Sequence, residues 1–159
     1  MGTGSGAIVV SLALERPGWQ CFATDIKAEA LAVARQNCQH LQAEVLLSRC
    51  CWGAAFADHS FDVVVSNPPY VAEQDPHLSK LVYEPRSALT SGDSGLDDIR
   101  VLVDDAGRML KPGGLLAFEH GYHQGTECRQ LLQLNNFDRI ETRKDLAGNE
   151  RVSLGYAPD

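Results

Sequence analysis

The sequence predicts an α/β protein built around a mainly parallel sheet. Short apolar strands alternate along the chain with segments whose apolar residues recur at helical spacing, an order typical of parallel α/β folds. The run Val63-Val64-Val65 lacks polar alternation, which indicates a strand buried on both faces. Two successive strands at the end of the chain predict an antiparallel hairpin within an otherwise parallel arrangement.

The first part of the chain alternates helix and strand. A glycine-rich turn opens a helix over Ala7–Glu15, which ends before the helix-breaking pair Pro17-Gly18. Gln20–Thr24 is a short apolar strand that stops before an aspartate. Ala28–Gln39 has apolar residues at helical spacing and is predicted as a helix. Glu44–Ser48 is apolar, too short for a helix, and is predicted as the second strand.

A strong strand and a long loop occupy the middle of the chain. Phe61–Ser66 is predicted as a buried strand, and two prolines directly after it end the strand because proline cannot continue a ladder. Residues 71–95 are predicted as a loop with short helical pieces, and a loop of that length in a compact domain is usually functional. Asp97–Leu110 has helical spacing and is closed by a turn at Lys111–Gly114.

The last part of the chain supplies the remaining strands. Leu115–Glu119 is apolar and is predicted as a strand. Gln124–Leu134 is predicted as a helix. Phe137–Arg143 and Arg151–Tyr156 are predicted as two strands of a hairpin, joined by a polar turn.

The composition describes one acidic domain over residues 1–159. The chain is 44% hydrophobic, enough for one core, and its net charge is −7. Without a basic block, this charge argues against binding to a nucleic-acid backbone and leaves a small ligand or a protein partner. The five cysteines include no CxxC pair and favour free thiols in a reducing cytoplasm. No apolar run is long enough to span a bilayer, and no metal site is predicted.

The glycine-rich turn is the first candidate binding site. Gly2-Thr3-Gly4-Ser5-Gly6 opens a helix, so a ligand can approach the backbone closely and face the helix amides. Asp25 follows at a strand end, at the spacing of about 20 residues where an acidic residue hydrogen-bonds a nucleoside ribose. By itself Asp25 also fits a helix N-cap. Together the turn and the aspartate indicate an adenosine-type cofactor.

The segment Asn67-Pro68-Pro69-Tyr70 is the second candidate site. Each proline fixes its own φ, so the turn is rigid. The Asn67 carboxamide and the Pro68 carbonyl could then accept both N–H groups of one substrate NH2. An amide nitrogen is a poor nucleophile because its lone pair is delocalised, and two fixed acceptors would aim that lone pair at an electrophile. Tyr70 would offer a flat face to a planar group.

With these segments, the chain resembles the class I S-adenosylmethionine-dependent methyltransferases, which have a Rossmann-like fold. Within them it is similar to the protein-(glutamine-N5) methyltransferases of peptide chain release factors, the HemK or PrmC family. The Asn-Pro-Pro-Tyr segment is shared with DNA adenine-N6 methylases, whereas Tyr83-Glu84-Pro85 and Asp145-Leu146-Ala147-Gly148 are more specific to the release-factor enzymes. The matching segments are residues 2–6, 66–70, 83–89, 93–96, 119–122 and 145–151.

The resemblance implies a role for each motif. The glycine loop would hold the methionine part of S-adenosylmethionine, and Asp25 its ribose hydroxyls. Asn67, Pro68 and Tyr70 would be the catalytic residues: Asn67 and the Pro68 carbonyl would bind the glutamine amide of the release factor's Gly-Gly-Gln motif, with Pro69 and Tyr70 forming the pocket. Asn67 would also contact the cofactor. Glu84 would shape the substrate loop. The reaction would be direct methyl transfer from sulfonium to amide nitrogen, in the cytoplasm.

The sequence departs from the family pattern at three places. The family has a strand ending in an acidic residue before its glycine loop, whereas only Met1 precedes the loop here, so the first, central strand is predicted to be missing. The family's N-terminal helical domain is likewise predicted to be missing. Near the adenine, Trp52 matches the family's aromatic residue, but Cys51 stands where an acid belongs.

Two other functions stay open at this point. One is a nucleic-acid adenine-N6 methyltransferase, because the same tetrapeptide serves an adenine amine; the acidic net charge counts against it. The other is an inactive, truncated methyltransferase remnant, which the missing strand and Cys51 favour.

Overall fold

The structure is a computed structural model that describes residues 1–76, 78 and 85–159. Within it the chain divides into two compact units, Met1–Phe56 and Ala57–Asp159. The single domain over residues 1–159 stays a prediction.

The first unit consists of two helices and a two-stranded parallel sheet. In chain order it contains α1 (Ala7–Glu15), β1 (Cys21–Asp25), α2 (Ala28–Leu41) and β2 (Val45–Arg49). The strands pair in register from Cys21 with Val45 to Asp25 with Arg49. Residues 1–6, before α1, form a turn. Thr24 of β1 is a buried polar residue of this unit, and the buried apolar side chains come from both helices and β1: Val9, Val10, Ala23, Leu31, Ala34 and Cys38.

The second unit is built on a four-stranded mixed sheet with the order β3-β4-β6-β5. Strands β3 and β4 are parallel, and β6 is antiparallel to both of its neighbours, so three strands run one way and only β6 is reversed. This confirms the α/β class and the hairpin at the end of the chain. The elements are β3 (Phe61–Ser66), α3 (Asp97–Met109), β4 (Leu110–Glu119), α4 (Gly125–Leu134), β5 (Asp138–Lys144) and β6 (Glu150–Tyr156).

Helix α3 supplies much of the core of the second unit. Five of its apolar residues follow the helical repeat and form one buried stripe, while Val101 is exposed. The five are at most 1% exposed: Ile99, Leu102, Val103, Ala106 and Met109. Burying each of these side chains other than Ala106 contributes roughly 1.5–3 kcal/mol.

The predicted turn at Lys111–Gly114 is wrong as a boundary between helix and strand. Helix α3 ends at Met109, and Leu110 already has extended backbone and pairs with Phe61. The next pair is Val63 with Leu115, so the intervening residues bulge out of β4. The backbone groups of Gly113 and Gly114 do not stay unpaired, because both hydrogen-bond Ala157. That long-range contact makes the segment part of the sheet.

The other boundaries agree closely with the sequence predictions. Helix α1 and strand β3 are confirmed at both ends; β4 begins at Leu110 instead of Leu115, and the ends of the other elements shift by at most two residues. In the described part of residues 71–95, Val71 pairs with Thr90 and a 3-10 turn spans Arg86–Ala88. The two ends of this loop are therefore hydrogen-bonded to each other. In the described ranges, no helix is long and apolar enough to cross a membrane.

Candidate functional site

The glycine loop has a backbone conformation that only glycine adopts readily. Gly2, Gly4 and Gly6 have φ angles of 62°, 54° and 83°. Such left-handed angles cost other residues about 1–2 kcal/mol each. The Thr3 amide donates to the carbonyl of Thr24 at 2.8 Å, and the Gly6 amide donates to the Thr3 carbonyl at 2.8 Å. The loop is thus tied to the end of β1 and turned directly into α1.

The glycines differ in what surrounds them. A Cβ at Gly6 would lie 3.1 Å from the Cβ of Ala34, so the loop packs against α2 with no room for a side chain. At Gly4, by contrast, a Cβ would meet no atom within 4 Å. The Asn37 side chain of α2 donates to the Ser5 carbonyl at 2.8 Å. One side of the loop is therefore packed on α2, and the side at Gly4 is open to a ligand.

Asp25 holds the glycine loop through its carboxylate. One oxygen accepts the Gly4 amide at 2.9 Å, and the other accepts the Lys27 amide at 2.9 Å. Each carboxylate oxygen can accept two hydrogen bonds, so two further acceptor positions remain for a ligand. The Asp25 carboxylate thus stabilises the loop by a hydrogen bond and also offers acceptor positions to a ligand beside the loop.

Trp52 lies against the same loop. A Cβ at Gly2 would be 3.4 Å from the Trp52 ring. The backbone of Trp52 has a φ of 43°, and its carbonyl accepts the Thr24 hydroxyl at 3.0 Å. Cys51, next to it, is exposed. The first unit therefore brings together the cofactor residues predicted from it: the glycine loop, Asp25 and the Cys51-Trp52 pair.

The turn after β3 combines an exposed amide with a buried support. The Asn67 side chain is exposed, and no hydrogen bond to it occurs within the described part of the chain. The next residue, Pro68, is buried, and Pro69 and Tyr70 are half-buried. The Asn67 carboxamide is thus presented to solvent from a turn that is embedded in the unit.

Tyr70 is held at both ends. Its hydroxyl donates to Glu119 Oε1 at 2.9 Å, and its backbone carbonyl accepts Gln124 Nε2 at 3.0 Å. These contacts arise because β3 and β4 are parallel neighbours, so the segments that follow them meet at one edge of the sheet. The packing of the Tyr70 ring against a planar group stays a prediction, and the hydroxyl contact to Glu119 is a feature that the sequence did not indicate.

Glu119 and Gln124 are the residues that sequence reasoning missed. Glu119 is the last residue of β4, in the matched segment 119–122, which carries no predicted role for any side chain, and Gln124 follows two residues after that segment. Glu84, the remaining predicted substrate residue, lies outside the described residues. Within the described ranges, no three potential metal ligands form a group.

A buried histidine lies beside this edge of the sheet. The His120 ring contacts the Gly121 carbonyl through Nδ1 at 2.9 Å and the Ser153 hydroxyl through Nε2 at 3.0 Å. Because a carbonyl oxygen only accepts, Nδ1 carries the proton and Nε2 accepts from Ser153. Burial lowers the pKa of His120, so the ring is neutral in this arrangement.

The sequence matches the methyltransferase small domain family over residues 1–94. It is 43% identical to the release factor glutamine methyltransferase of Salmonella typhimurium, with 98% of this chain and 57% of that protein covered. It is 47% identical to the Pseudomonas aeruginosa protein of the same name, with the same coverage. The chain thus spans a little over half the length of these curated relatives.

The solved structures that resemble the chain share its fold at low sequence identity. A methyltransferase from Pyrococcus furiosus superposes with a TM-score of 0.73 at 20% identity, covering 99% of this chain and 73% of that one. A ribosomal protein L11 methylase from Lactobacillus delbrueckii gives a TM-score of 0.66 at 22% identity, covering 99% and 67%. The chain therefore has the α/β fold of class I methyltransferases, and it belongs to the methyltransferase small domain family.

Proposed function

We propose that this chain transfers a methyl group from S-adenosylmethionine to the side-chain amide nitrogen of a glutamine in the Gly-Gly-Gln motif of a release factor. The exposed Asn67 carboxamide on its anchored turn is the observation that carries the proposal. The identity of 43–47% to release factor glutamine methyltransferases over 98% of the chain supports the same substrate. Such a release factor would be a cytoplasmic protein partner.

The turn supplies the orientation that an amide substrate needs. The Asn67 side-chain oxygen and the Pro68 carbonyl are two acceptors on adjacent residues, and an amide NH2 has two donors. Because the two prolines restrict the backbone, the acceptors lose little freedom when the substrate binds. Their action would be to hold the amide plane in one orientation, and orientation alone can lower a barrier by several kcal/mol. Tyr70 and Pro69 would line the pocket.

The first unit has groups suited to the cofactor. The open side of the loop at Gly4 would hold the methionine portion, and the spare acceptor positions of Asp25 would bind the ribose hydroxyls. Trp52 would lie at the adenine end. When bound, S-adenosylmethionine supplies an electrophilic methyl group on a sulfonium, which needs no covalent enzyme intermediate.

Cys51 weakens the adenine end of this site. A thiol is a poor hydrogen-bond acceptor compared with the carboxylate that the family carries there. The loss of one charge-assisted hydrogen bond costs about 1.5–3 kcal/mol, or roughly 10- to 100-fold in affinity. We therefore expect the cofactor to bind more weakly than in a relative with the acid, and Cys51→Asp to strengthen binding.

Calorimetric titration of S-adenosylmethionine, followed by a methylation assay on a release factor, tests the proposal. Asn67→Ala should leave the cofactor Kd within about twofold and lower methyl transfer about 100-fold or more. Gln36→Ala, which truncates an exposed carboxamide on α2, is the control and should change neither value. Undiminished turnover by the Asn67→Ala protein refutes the assigned role.

Two further outcomes decide between the alternatives. The same two acceptors could hold the exocyclic amine of an adenine, so methylation of DNA in preference to the release factor would favour the nucleic-acid enzyme. The net charge of −7 disfavours that result. No cofactor binding by a folded chain would instead indicate an inactive remnant.

A further inference from the structure

We propose that Gln124 is a positioning residue that holds the Asn67–Tyr70 turn in the conformation required to bind the substrate amide. Gln124 does not touch the substrate in this proposal; it acts through the backbone of Tyr70. The effect on catalysis rests on the proposed function, whereas the effect on the turn does not.

The Gln124 carboxamide has every polar atom engaged. Its oxygen accepts the Gly121 amide at 2.8 Å, and its nitrogen donates to the carbonyls of Tyr70 at 3.0 Å and Ser94 at 3.2 Å. The residue is 3% exposed, so water does not compete for these groups. One side chain thus joins three separate segments: the turn after β3, the turn after β4, and the end of the long loop.

The fit around the Tyr70 carbonyl leaves no room for displacement toward the loop. A Cβ at Gly95 would lie 2.3 Å from the Tyr70 oxygen and 2.8 Å from Gln124 Nε2. Gly95 also has a φ of 72°, which disfavours any other residue there. Because Gly95 has no side chain, the end of the loop can lie against the Tyr70 carbonyl while Gln124 donates a hydrogen bond to that carbonyl.

The anchored carbonyl is close in sequence to the amide-binding groups. Two prolines with restricted φ separate Tyr70 from Asn67, so a fixed Tyr70 limits the orientations of the Asn67 and Pro68 acceptors. On its other side, the Val71 amide donates to the Leu89 carbonyl at 2.9 Å. Release of the Tyr70 carbonyl would therefore loosen the turn at the point where it joins the loop.

The carboxamide has two functions that one substitution separates. The oxygen supports the turn before α4 through Gly121, and the nitrogen supports the substrate turn through Tyr70. Gln124→Glu has nearly the same shape and keeps an acceptor for Gly121. At alkaline pH it replaces both donors with an oxygen that faces two carbonyl oxygens, and at lower pH the protonated carboxyl group can donate to one of them again.

The experiment compares Gln124→Glu with Gln130→Glu, the same change at an exposed position of α4. At pH 8 we expect Gln124→Glu to lower kcat at least 10-fold with the cofactor Kd unchanged, and to regain activity as the pH falls toward 6. Gln130→Glu should follow the wild-type pH profile. A Gln124→Glu protein with the wild-type kcat at pH 8 overturns the proposal.

Hydrogen exchange supplies a readout that does not depend on catalysis. Peptides covering residues 66–73 should exchange at least 10-fold faster in Gln124→Glu than in Gln130→Glu at pH 8, with urea unfolding showing that both proteins are folded. Should Gln124→Glu not fold, Gln124→Met, which introduces no charge and removes both donors together with the acceptor for Gly121, is compared with Gln130→Met instead. Unchanged exchange in the folded variant overturns the proposal even if the wild-type chain methylates no release factor.

Discussion

Alanine substitutions at three glycines of the first unit should have clearly different effects on stability. Gly6→Ala puts a Cβ at a φ of 83° and 3.1 Å from the Ala34 Cβ, with the Ala34 Cα at 3.3 Å. The left-handed backbone costs about 1–2 kcal/mol, and the overlap with α2 adds about 1–3 kcal/mol. We therefore expect Gly6→Ala to lower the free energy of unfolding by about 2–5 kcal/mol.

Two matched variants divide this cost into its parts. Gly4→Ala has the same unfavourable backbone, with a φ of 54°, but meets no atom within 4 Å, so only the backbone cost of about 1–2 kcal/mol applies. At Gly18, φ lies outside the left-handed region and the surroundings are open. Gly18→Ala should stabilise the unit by about 0.4–1 kcal/mol, because it restricts the unfolded chain.

Urea unfolding followed by tryptophan fluorescence measures these differences in the free energy of unfolding, because the signal comes from the first unit. The only two tryptophans, Trp19 and Trp52, both belong to the first unit. The reasoning requires Gly6→Ala to be less stable than Gly4→Ala by at least about 1 kcal/mol. Equal stability of these two proteins would refute the contact between the loop and α2.

Three further predictions concern the second unit and the thiols. Folding lowers the pKa of His120, so below about pH 6.5 the unfolded chain binds more protons than the folded one. The free energy of unfolding should therefore be highest near pH 8 and fall as the pH drops below about 6.5, less steeply in His120→Gln; urea midpoints from pH 5 to 8 measure this. Burial raises the pKa of Cys128 to about 12, so a thiol reagent should modify exposed Cys51 in the native protein and reach Cys128 only after unfolding, which peptide mass spectrometry will detect. The buried Ser91 hydroxyl accepts a hydrogen bond from the Asp98 amide in the first turn of α3, so Ser91→Ala should lower the free energy of unfolding by about 0.5–2 kcal/mol. The control Ser11→Ala, at an exposed site inside α1, should change it by less than about 0.5 kcal/mol in the same urea experiment.

Local sequence signals were sufficient where the determinant of structure lay within a few residues. Helix α1 begins directly after the glycine loop and ends before a proline, and β3 ends at Ser66 because two prolines follow closely, so both were predicted at both ends. The glycine loop and Asp25 were recognised from their spacing, and the hydrogen bond between Asp25 and the Gly4 amide is consistent with that grouping.

Predictions failed where a distant partner decided the outcome. Residues 111–114 look like a turn, because a proline followed by glycines is a common signal at a helix end. In the structure the backbone of Ala157 pairs with this segment, which becomes part of β4. Gln124 looks like the polar first residue of a helix. Nothing nearby in the sequence indicates that its side chain reaches the carbonyl of Tyr70 across the edge of the sheet.

The sequence by itself therefore determined the α/β class, the order of the elements and the two motifs to which the proposed chemistry is assigned. These depend on periodicity, on backbone restriction by proline and glycine, and on residue types at short spacing. Only the tertiary structure decided which groups hold the motifs: Ala34 under Gly6, and Glu119 and Gln124 at the two ends of Tyr70. The physical reason is that parallel pairing brings together strand ends more than 40 residues apart, and no local pattern encodes which side chains then meet.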